Sequence, residues 1–341
     1  MRLTRMSIEA ATAVYLLTYL PYILFTRQLS TTKNLELGRP LSGLETLPPV
    51  LIMGGVMLVL FIWLSGWWRS AHQLRVGSLS IPVPTAWTAL SGVGTAFLLF
   101  TVPLSLTFVG VSIPFIQLLM RGDVLIIAPL VDIVAGRKVR WYSWVALVLV
   151  AIALFITVKA RGGLHLPLLA LVTVALYTVG YFIRLAVMTR IAKNDDAEAL
   201  KGYFVEEKIV AMPLSILVLW LITHSALAAQ GVQLNWGFVS AWNSSALPTL
   251  IVLSVAFVGV TIFSALILLN PRENTFCVPF ERAASILAGS IAAYGLAYFF
   301  GQPYPTQAEM IGVLLLIAAI VLLSFGPKLG RRAVAPALGR P

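Results

Sequence analysis

The stretch that decides the fold runs from Ile113 to Phe155 and reads IPFIQLLMRGDVLIIAPLVDIVAGRKVRWYSWVALVLVAIALF. It opens with a Pro-Phe pair, is interrupted at Gly136, and resumes as a second apolar segment. The same layout returns 165 positions later without a gap, where Pro279-Phe280 opens it and Gly301 interrupts it. Each segment is apolar enough to form a helix that crosses a bilayer. A duplicated membrane unit is typical of transporters built from two related halves.

The composition of the chain also indicates an integral membrane protein. Of the 341 residues, 59% are hydrophobic and only 11% are charged, whereas soluble domains carry about 25% charged residues. The net charge of +11 does not indicate nucleic-acid binding, because the basic residues lie between apolar segments and near the C-terminus. Cys277 is the single cysteine, which excludes an internal disulfide.

Ten apolar segments come close to the length of about 20 residues that spans a bilayer. The third and fourth are separated from each other because together they are too long for one span. The N-terminal segment is interpreted as a retained first helix and not as a cleaved signal peptide. The ten segments are 9–27, 48–66, 86–105, 108–134, 141–158, 166–189, 203–223, 248–269, 276–299 and 307–325.

The distribution of Lys and Arg between the segments predicts the orientation. Fifteen basic residues fall on the side of the N-terminus and five on the opposite side, which places both termini in the cytoplasm. We therefore expect a plasma membrane protein, located in the inner membrane in a bacterium. The five residues on the outer side are Arg27, Lys33, Arg39, Lys159 and Arg161.

The first helices of the two halves share a stripe of large polar side chains. Tyr15, Tyr19 and Tyr22 lie on one helical face, and 162 positions later the stripe becomes Tyr177, Tyr181 and Arg184. The repeat therefore begins at the first helix and gives each half five helices. Because five is odd, the second half is inverted, which exposes a central site alternately to each side. We expect an all-α membrane protein with a first repeat in residues 1–160, an inverted repeat in 161–326 and a basic cytoplasmic tail in 327–341.

Ionisable residues inside the spans are the candidate site, because each costs about 3 kcal/mol or more unless it meets a partner or a cavity. Arg121 shares a helical face with Gln117 and Asp132. This face either lines a cavity in which Arg121 contacts a substrate, or holds Arg121 against a buried acid that pins two helices together. Asp123, on the opposite face, and Asp132, near the cytoplasmic end, are expected to be structural or interfacial.

Arg184 extends the stripe of Tyr177 and Tyr181. Two phenols and a guanidinium on one face suit a planar or anionic ligand. The alternative is a tyrosine stripe that packs inside the bundle while Arg184 reaches to one side.

Two further charged groups open later helices. Glu206-Glu207-Lys208 precedes Pro213 and either faces a cavity or lies in the headgroup layer. Glu281-Arg282 opens the ninth segment, and Ser285 and Gly289 share the face of Arg282. Small residues on that face leave room either for a ligand or for a neighbouring helix.

These residues resemble the drug/metabolite transporter superfamily, including its EamA-like permeases and nucleotide-sugar transporters. The resemblance rests on the ten segments, the two halves, and the layout Ala135-Gly136-Arg137-Lys138 followed by Val145 to Phe155. Arg282 matches the arginine of the Lys-Arg pair with which sugar-phosphate members hold phosphate, whereas Glu281 stands at the position of the lysine. The resemblance implies solute export or exchange by alternating access without ATP.

We expect a secondary transporter for a small polar solute, anionic or zwitterionic, and the alternative is a flippase for a lipid head group on the same fold. An enzyme is not expected, because His72, His165 and His224 are scattered and form no cluster with metal-ligand spacing. We expect no cofactor, metal or nucleic acid; the partners are the solute or head group and membrane lipid, with the chain as a monomer or homodimer. The predicted substrate-binding residues are Tyr15, Tyr19, Gln117, Arg121, Tyr177, Tyr181, Arg184, Glu207, Lys208, Glu281, Arg282 and Ser285.

Overall fold

The computed structural model describes residues 6–77, 79–108, 111–122, 141–160, 168–192, 196–225, 228–270 and 274–334. These residues are largely helical, with one antiparallel hairpin of β1 (Gln73–Val76) and β2 (Leu79–Pro82) between the second and third helices. The helices are α1 (Ile8–Leu29), α2 (Gly43–Ser65), α3 (Ala86–Leu106), α4 (113–122 in the described part), α5 (Trp141–Ala160), α6 (Leu168–Ile191), α7 (Ala197–Thr223), α8 (Ala228–Val239), α9 (Leu247–Leu268), α10 (Asn274–Phe300) and α11 (Gln307–Val334).

The protein is a helical membrane protein. Among the described residues, α1, α2, α3, α6, α9 and the Phe280–Phe300 part of α10 are each long and apolar enough to cross a membrane. Shorter apolar stretches lie in α5 (Trp144–Ala160) and α11 (Gln307–Leu322). Each of the ten apolar segments recognised in the sequence overlaps one helix, and α8 lies in the connection between the seventh and eighth of them.

Local hydrogen bonds explain where several helices begin. Ser42 and Glu45 form a capping box at α2, in which each side chain accepts a hydrogen bond from the backbone N–H of the other. Thr85 and Thr88 form the same arrangement at α3. Gly66 ends α2 with φ +76°, a left-handed conformation that glycine adopts without strain.

The predicted interruption at Gly301 is confirmed. Helix α10 ends at Phe300, and Gly301 has φ +64°. The equivalent position in the first half, Gly136, lies outside the described residues, as do Asp123 and Asp132. Helix α11 continues to Val334, through the first residues of the segment expected to be a tail.

The contacts between helices include two sets that the spacing found in the sequence relates to each other. Helix α3 packs against α6 and α7, and α9 packs against α1 and α2. At the crossing of α3 and α6, a Cβ atom on Gly180 would lie 2.5 Å from the carbonyl oxygen of Gly94. At the crossing of α9 and α1, a Cβ atom on Gly259 would lie 2.7 Å from a methyl group of Thr18. Gly259 follows Gly94 by 165 positions, and Gly180 follows Thr18 by 162.

A second pair of close contacts repeats in the same way. A Cβ atom on Gly92 of α3 would lie 2.6 Å from Val210 of α7, and one on Gly54 of α2 would lie 2.7 Å from Phe257 of α9. Phe257 follows Gly92 by 165 positions, which is again the spacing that relates α3 to α9. The spacing of 165 found in the sequence therefore also relates α3 to α9 in these contacts, whereas Val210 follows Gly54 by 156 positions.

Two polar connections are joined at one end of the bundle. Glu36, between α1 and α2, accepts hydrogen bonds from the backbone N–H (2.6 Å) and hydroxyl (2.9 Å) of Ser245, between α8 and α9. The backbone N–H of Ser245 holds the pKa of Glu36 below its ordinary value. This contact fixes the connections that precede α2 and α9.

The close glycine crossing predicts a specific loss of stability. Gly180→Ala pushes a methyl group onto the backbone of α3, which cannot move aside, so we expect a loss of about 1–3 kcal/mol. Gly259→Ala is expected to cost less, because the side chain of Thr18 can rotate. The measurement is thermal unfolding of the purified protein in detergent.

The control for this comparison is Gly55→Ala on α2, where a Cβ atom would meet nothing within 4 Å. Because alanine favours helix over glycine, this variant should be neutral or gain up to about 1 kcal/mol. Equal melting temperatures for Gly180→Ala and Gly55→Ala would contradict the close approach of α3 and α6.

Candidate functional site

A cavity of about 80 Å³ lies in the middle of the bundle. Tyr19, in the middle of α1, is one of its walls, so the cavity is far from both ends of that helix. Its lining combines phenols and charged groups with apolar side chains of α3 and α9. The lining residues are Tyr15, Tyr19, Tyr22, Thr95, Leu98, Leu99, Val102, Pro103, Arg121, Tyr177, Tyr181, Arg184, Lys208, Phe257, Val260, Thr261, Ser264, Glu281 and Arg282.

The tyrosine stripes of α1 and α6 face this cavity. The rings of Tyr15 and Tyr19 stack with centroids 5.3 Å apart, and those of Tyr19 and Tyr22 with centroids 5.7 Å apart. On α6 the rings of Tyr177 and Tyr181 stack at 6.0 Å. Spacings of three and four residues place side chains above one another on a helix, which is why each stripe forms a continuous aromatic wall.

Arg121 of α4 joins the two aromatic walls. Its Nη1 donates to the hydroxyl of Tyr177 at 2.5 Å, and its Nη2 donates to the hydroxyl of Tyr19 at 2.8 Å. The guanidinium carbon also lies 5.5 Å and 5.9 Å from the centroids of these two rings, within the range of a cation–π interaction. Arg121 therefore lines a cavity, as the first of the two interpretations expected. Its hydrogen bonds in the described structure go to phenols instead of the buried acid of the second interpretation.

Glu207 of α7 is the centre of a buried ionic cluster. Its Oε1 accepts from Nε of Arg184 at 2.7 Å and from the hydroxyl of Thr95 at 2.6 Å, while its Oε2 accepts from Nζ of Lys208 at 2.8 Å. The hydroxyl of Tyr203 adds a longer bond of 3.3 Å. Glu207 is fully buried and does not line the cavity, but it positions two cations that do. The cluster thereby ties α3, α6 and α7 together.

The neighbouring Glu206 points to a different part of the protein. Its Oε1 accepts from the backbone N–H of His72 at 2.9 Å, and its Oε2 accepts from the hydroxyl of Thr88 at 2.8 Å. Successive residues of a helix point about 100° apart, so Glu206 and Glu207 contact different groups. Glu206 lies in the third turn of α7 and not at its start, as the sequence had indicated, because the helix begins at Ala197. It anchors this turn to α3 and to the residue before β1, while Glu207 positions the cations of the cavity.

Glu281 and Arg282 of α10 form the remaining charged group. Oε1 of Glu281 accepts from the hydroxyl of Tyr15 at 2.8 Å and from that of Ser264 at 3.3 Å. Oε2 of Glu281 lies 3.3 Å from Nη1 of Arg282. The guanidinium of Arg282 stacks on the ring of Tyr181, with 4.1 Å from its carbon to the ring centroid.

One edge of Arg282 has no acceptor in the part of the chain that the structure describes. Its Nε and Nη2 are buried and make no hydrogen bond among the described residues, although the side chain is only 2% exposed. These two nitrogens form the side of a guanidinium that binds carboxylate or phosphate with two parallel hydrogen bonds. Because a buried donor without a partner is costly, the edge is suited to a ligand in the cavity.

Two predicted site residues are buried beside the cavity but do not line it. The hydroxyl of Ser285 donates to the carbonyl of Arg282 at 2.8 Å and so is satisfied within its own helix. Gln117 packs against Gly289, where a Cβ atom would lie 2.0 Å from its side-chain oxygen. The small residues on the face of Arg282 therefore admit α4 as a close neighbour. The other nine predicted residues, apart from Glu207, all line the cavity.

The cavity residues that the sequence interpretation missed lie mainly on α3 and α9. Thr95 and Ser264 supply hydroxyls to Glu207 and Glu281, while Phe257 extends the wall of Tyr22. Thr95 directly follows Gly94, whose spacing of 165 from Gly259 is a signal that would have pointed to these helices. Within the part of the chain that the structure describes, no group of three or more His, Cys, Asp or Glu side chains could hold a metal ion.

Comparison with known proteins establishes the fold alone. No family model and no curated protein matches the chain. A solved structure described only as "Crystal structure of protein" matches with a TM-score of 0.53 and 14% sequence identity. The match covers 94% of this chain and 99% of the other, so the same arrangement of helices extends over nearly the whole length of both.

The ionic cluster predicts a strong stability effect. Glu207→Gln leaves the buried cations of Arg184 and Lys208 without a carboxylate, and breaking a buried pair costs about 3–5 kcal/mol. The double variant Glu207→Gln/Lys208→Met should recover part of this loss, because one of the unpaired charges is removed with its carboxylate. Thermal unfolding in detergent measures both.

Glu198→Gln is the surface control, since Glu198 is exposed and pairs with Lys201 at the start of α7. Exposed pairs contribute less than about 1 kcal/mol. A double variant that is less stable than Glu207→Gln alone would contradict the role of Glu207 as the shared counter-ion.

Proposed function

We propose that the protein is a secondary transporter that exports or exchanges a small polar metabolite, anionic or zwitterionic, through the central cavity. It works by alternating access without ATP and without chemistry on the solute. The plan is that of a ten-helix permease of the drug/metabolite transporter type, in the plasma membrane, with both termini in the cytoplasm. The observation that carries the proposal is the edge of Arg282 that has no acceptor among the described residues, in a cavity where those residues leave an excess of positive charge.

The repeated helix contacts support two inverted halves. Leaving out α8, the order of helices relates α1 to α6, α2 to α7 and α3 to α9. When each helix is replaced by its counterpart, the contact of α3 with α6 corresponds to that of α9 with α1. The contact of α3 with α7 corresponds in the same way to that of α9 with α2. A fold in which two halves exchange roles has two related conformations, one open to each side.

Exposed aromatic residues near the helix ends support the membrane placement. Trp63, Trp87 and Trp141 lie at ends that the Lys and Arg count assigns to the cytoplasmic side, and each is at least 44% exposed. Trp220 and Tyr298 lie at ends assigned to the outer side. Tryptophan and tyrosine favour both membrane interfaces, so the two groups mark the two surfaces of the bilayer.

The charge of the cavity favours an anionic group on the solute. Among the described residues four cations line it, and the two carboxylates that lie among them, Glu207 and Glu281, leave an excess of two positive charges. Uncompensated charge in a low-dielectric site is unfavourable, and an entering anion relieves it. The guanidinium edge of Arg282 fits the two oxygens of a carboxylate or phosphate.

The aromatic walls favour a solute that is planar or has an apolar face. Tyr22 and Phe257 have ring centroids 6.2 Å apart on one side of the cavity, and Leu98, Leu99 and Val102 of α3 complete that side. An apolar wall opposite a cationic one also fits a lipid head group with the start of its chain. This wall is the observation that keeps a flippase as the second candidate.

The proposal predicts that Arg282→Ala abolishes binding of anionic solutes. Arg282→Lys should also bind at least tenfold more weakly, because an ammonium group cannot make the two parallel hydrogen bonds, and tenfold corresponds to about 1.4 kcal/mol. Thermal shift and equilibrium binding of the purified protein, with phosphate, sugar phosphates, amino acids and aromatic carboxylates, provide the measurement.

Arg75→Ala is the matched control, since Arg75 lies on the exposed hairpin strand β1. It should bind like the wild type. Unchanged binding in Arg282→Ala would contradict the assignment of the site. In proteoliposomes, movement of labelled phospholipid without uptake of any soluble anion would replace the transporter with the flippase.

A further inference from the structure

We propose that Gln117 of α4 is a second recognition residue of the transporter: it turns to the cavity in the conformation opposite to the one described, and there it binds the solute. This inference rests on the proposed function, because it needs two conformations in which the halves of the chain exchange roles. It adds a residue to the site and assigns that residue to one of the two states.

The amide of Gln117 has no polar contact in the described conformation. Its oxygen and its nitrogen are both buried without a hydrogen bond among the described residues, and the residue is only 4% exposed. Removing an amide from water without supplying a partner is unfavourable, whereas a methionine of similar shape would fill the same space without that cost. The polar atoms of Gln117 are therefore available for a contact that another conformation provides.

The amide lies in a gap that exists because residue 289 is glycine. A Cβ atom on Gly289 would lie 2.0 Å from Oε1 of Gln117 and 2.6 Å from its Nε2. Packing against α10 holds the amide there, and no hydrogen bond among the described residues adds to it. Because the glutamine side chain is unbranched, rotation about its bonds can carry the amide out of the gap when α4 and α10 move apart.

Gln117 lies one helical turn from the cavity wall. Arg121, four residues later on the same face of α4, lines the cavity and donates to Tyr177 and Tyr19. One turn of an α-helix measures about 5.4 Å along its axis. A shift of α4 by one turn against α10 therefore brings the amide to the cavity without any change in the helix itself.

The spacing of 165 positions makes Gln117 the counterpart of Arg282. The same spacing relates Gly94 to Gly259, which lie at corresponding helix crossings. In a fold whose two halves exchange roles, each residue takes in one state the place that its counterpart holds in the other. In the opposite state Gln117 therefore reaches the position on the cavity that Arg282 has in the described one.

The aromatic surroundings of the two positions correspond as well. The guanidinium carbon of Arg282 lies 4.1 Å from the ring centroid of Tyr181 and 5.8 Å from that of Tyr177. The spacing of 162 positions relates these two rings to Tyr19 and Tyr15 of α1, which also line the cavity. In the opposite state the solute therefore lies between the amide of Gln117 and the aromatic wall of α1.

An amide recognises a solute differently from a guanidinium. The guanidinium of Arg282 can only donate, whereas the amide of Gln117 donates through Nε2 and accepts through Oε1. Because the amide is neutral, it holds an oxyanion less strongly than a guanidinium does. The solute therefore binds more weakly to Gln117 than to Arg282, which favours its release from the opposite state.

The test introduces a single thiol into the full-length protein. Cys277 is the one natural cysteine and is buried, so Cys277→Ala provides the background. Gln117→Cys is compared with Leu99→Cys, on the cavity wall, and with Leu118→Cys, the matched buried control. Leu118 is 1% exposed and packs against α5 and α11, on another face of α4.

Mass spectrometry of the protein in detergent measures how fast each thiol reacts with two methanethiosulfonates, one carrying a sulfonate and one an ammonium group. Each rate is divided by that of a free thiol. We expect Gln117→Cys to react at least about tenfold faster than Leu118→Cys, because a minor state exposes only the cavity face. At Gln117→Cys and Leu99→Cys the anionic reagent should react faster than the cationic one, because both thiols face excess positive charge. Saturating benzenesulfonate should slow both reactions several-fold.

The outcomes separate the role of Gln117 from the proposed function. Equal rates for Gln117→Cys and Leu118→Cys would overturn the inference, as would a Gln117→Cys thiol that neither prefers the anionic reagent nor is protected by benzenesulfonate. The proposed function stands in these cases if Leu99→Cys shows both effects. If Leu99→Cys shows neither effect, with inorganic phosphate as a second probe, both proposals are overturned.

Gln117→Met tests the inference without a thiol. This variant removes the buried amide and keeps the length of the side chain, so it should melt at or above the temperature of the wild type. A lower melting temperature would mean that the amide stabilises the described conformation, and the inference would be wrong.

Discussion

Burying charge in the middle of a membrane bundle is the constraint on which the rest of the structure depends. A charged side chain in a span costs about 3 kcal/mol or more unless another group compensates it. The protein compensates Arg184 and Lys208 with a single carboxylate, Glu207, which also accepts from Thr95. This arrangement determines how α3, α6 and α7 pack, because their polar side chains must converge on one point.

The same constraint explains why corresponding positions of the proposed repeat differ in their polar residues. The spacing of 156 positions that relates Gly54 to Val210 makes Leu51 of α2 the counterpart of Glu207 of α7. In the same way Tyr22 of α1 corresponds to Arg184, and Gln117 of α4 corresponds to Arg282. The first half therefore has no counterpart of the ionic cluster, and three of the four described cations that line the cavity come from the second half. The backbone contacts at Gly94 and Gly259 are kept, since they depend on size and not on charge.

The sequence predicts those parts of the molecule that depend on periodicity. Helical spacing placed Tyr15, Tyr19, Tyr177 and Tyr181 on common faces, and the structure shows these faces on the cavity. Helical spacing could not show which residues meet between helices. It offered no means of pairing Arg184 with Glu207 rather than leaving it at the membrane surface, or of pairing Arg121 with phenols instead of an acid. Those contacts depend on how α4, α6 and α7 are placed in space, which a sequence pattern within one helix does not contain.

The polar contacts of the cavity also suggest how a solute would influence the proposed transport cycle. Arg121 belongs to the first half of the chain and donates to Tyr177 of the second, and Tyr15 of the first half donates to Glu281 of the second. Thr95 and Glu207 make a third link of this kind.

Each of these bonds therefore depends on how the two halves are placed relative to each other. A ligand shifts a conformational equilibrium only through its different affinity for the two states. An oxyanion that engages Arg282 beside Glu281 acts on the contact between Glu281 and Tyr15, which joins the halves, so its binding energy can be applied directly to their relative movement. In the proposed transport cycle, the residues that recognise the solute are largely the residues that hold the two halves together.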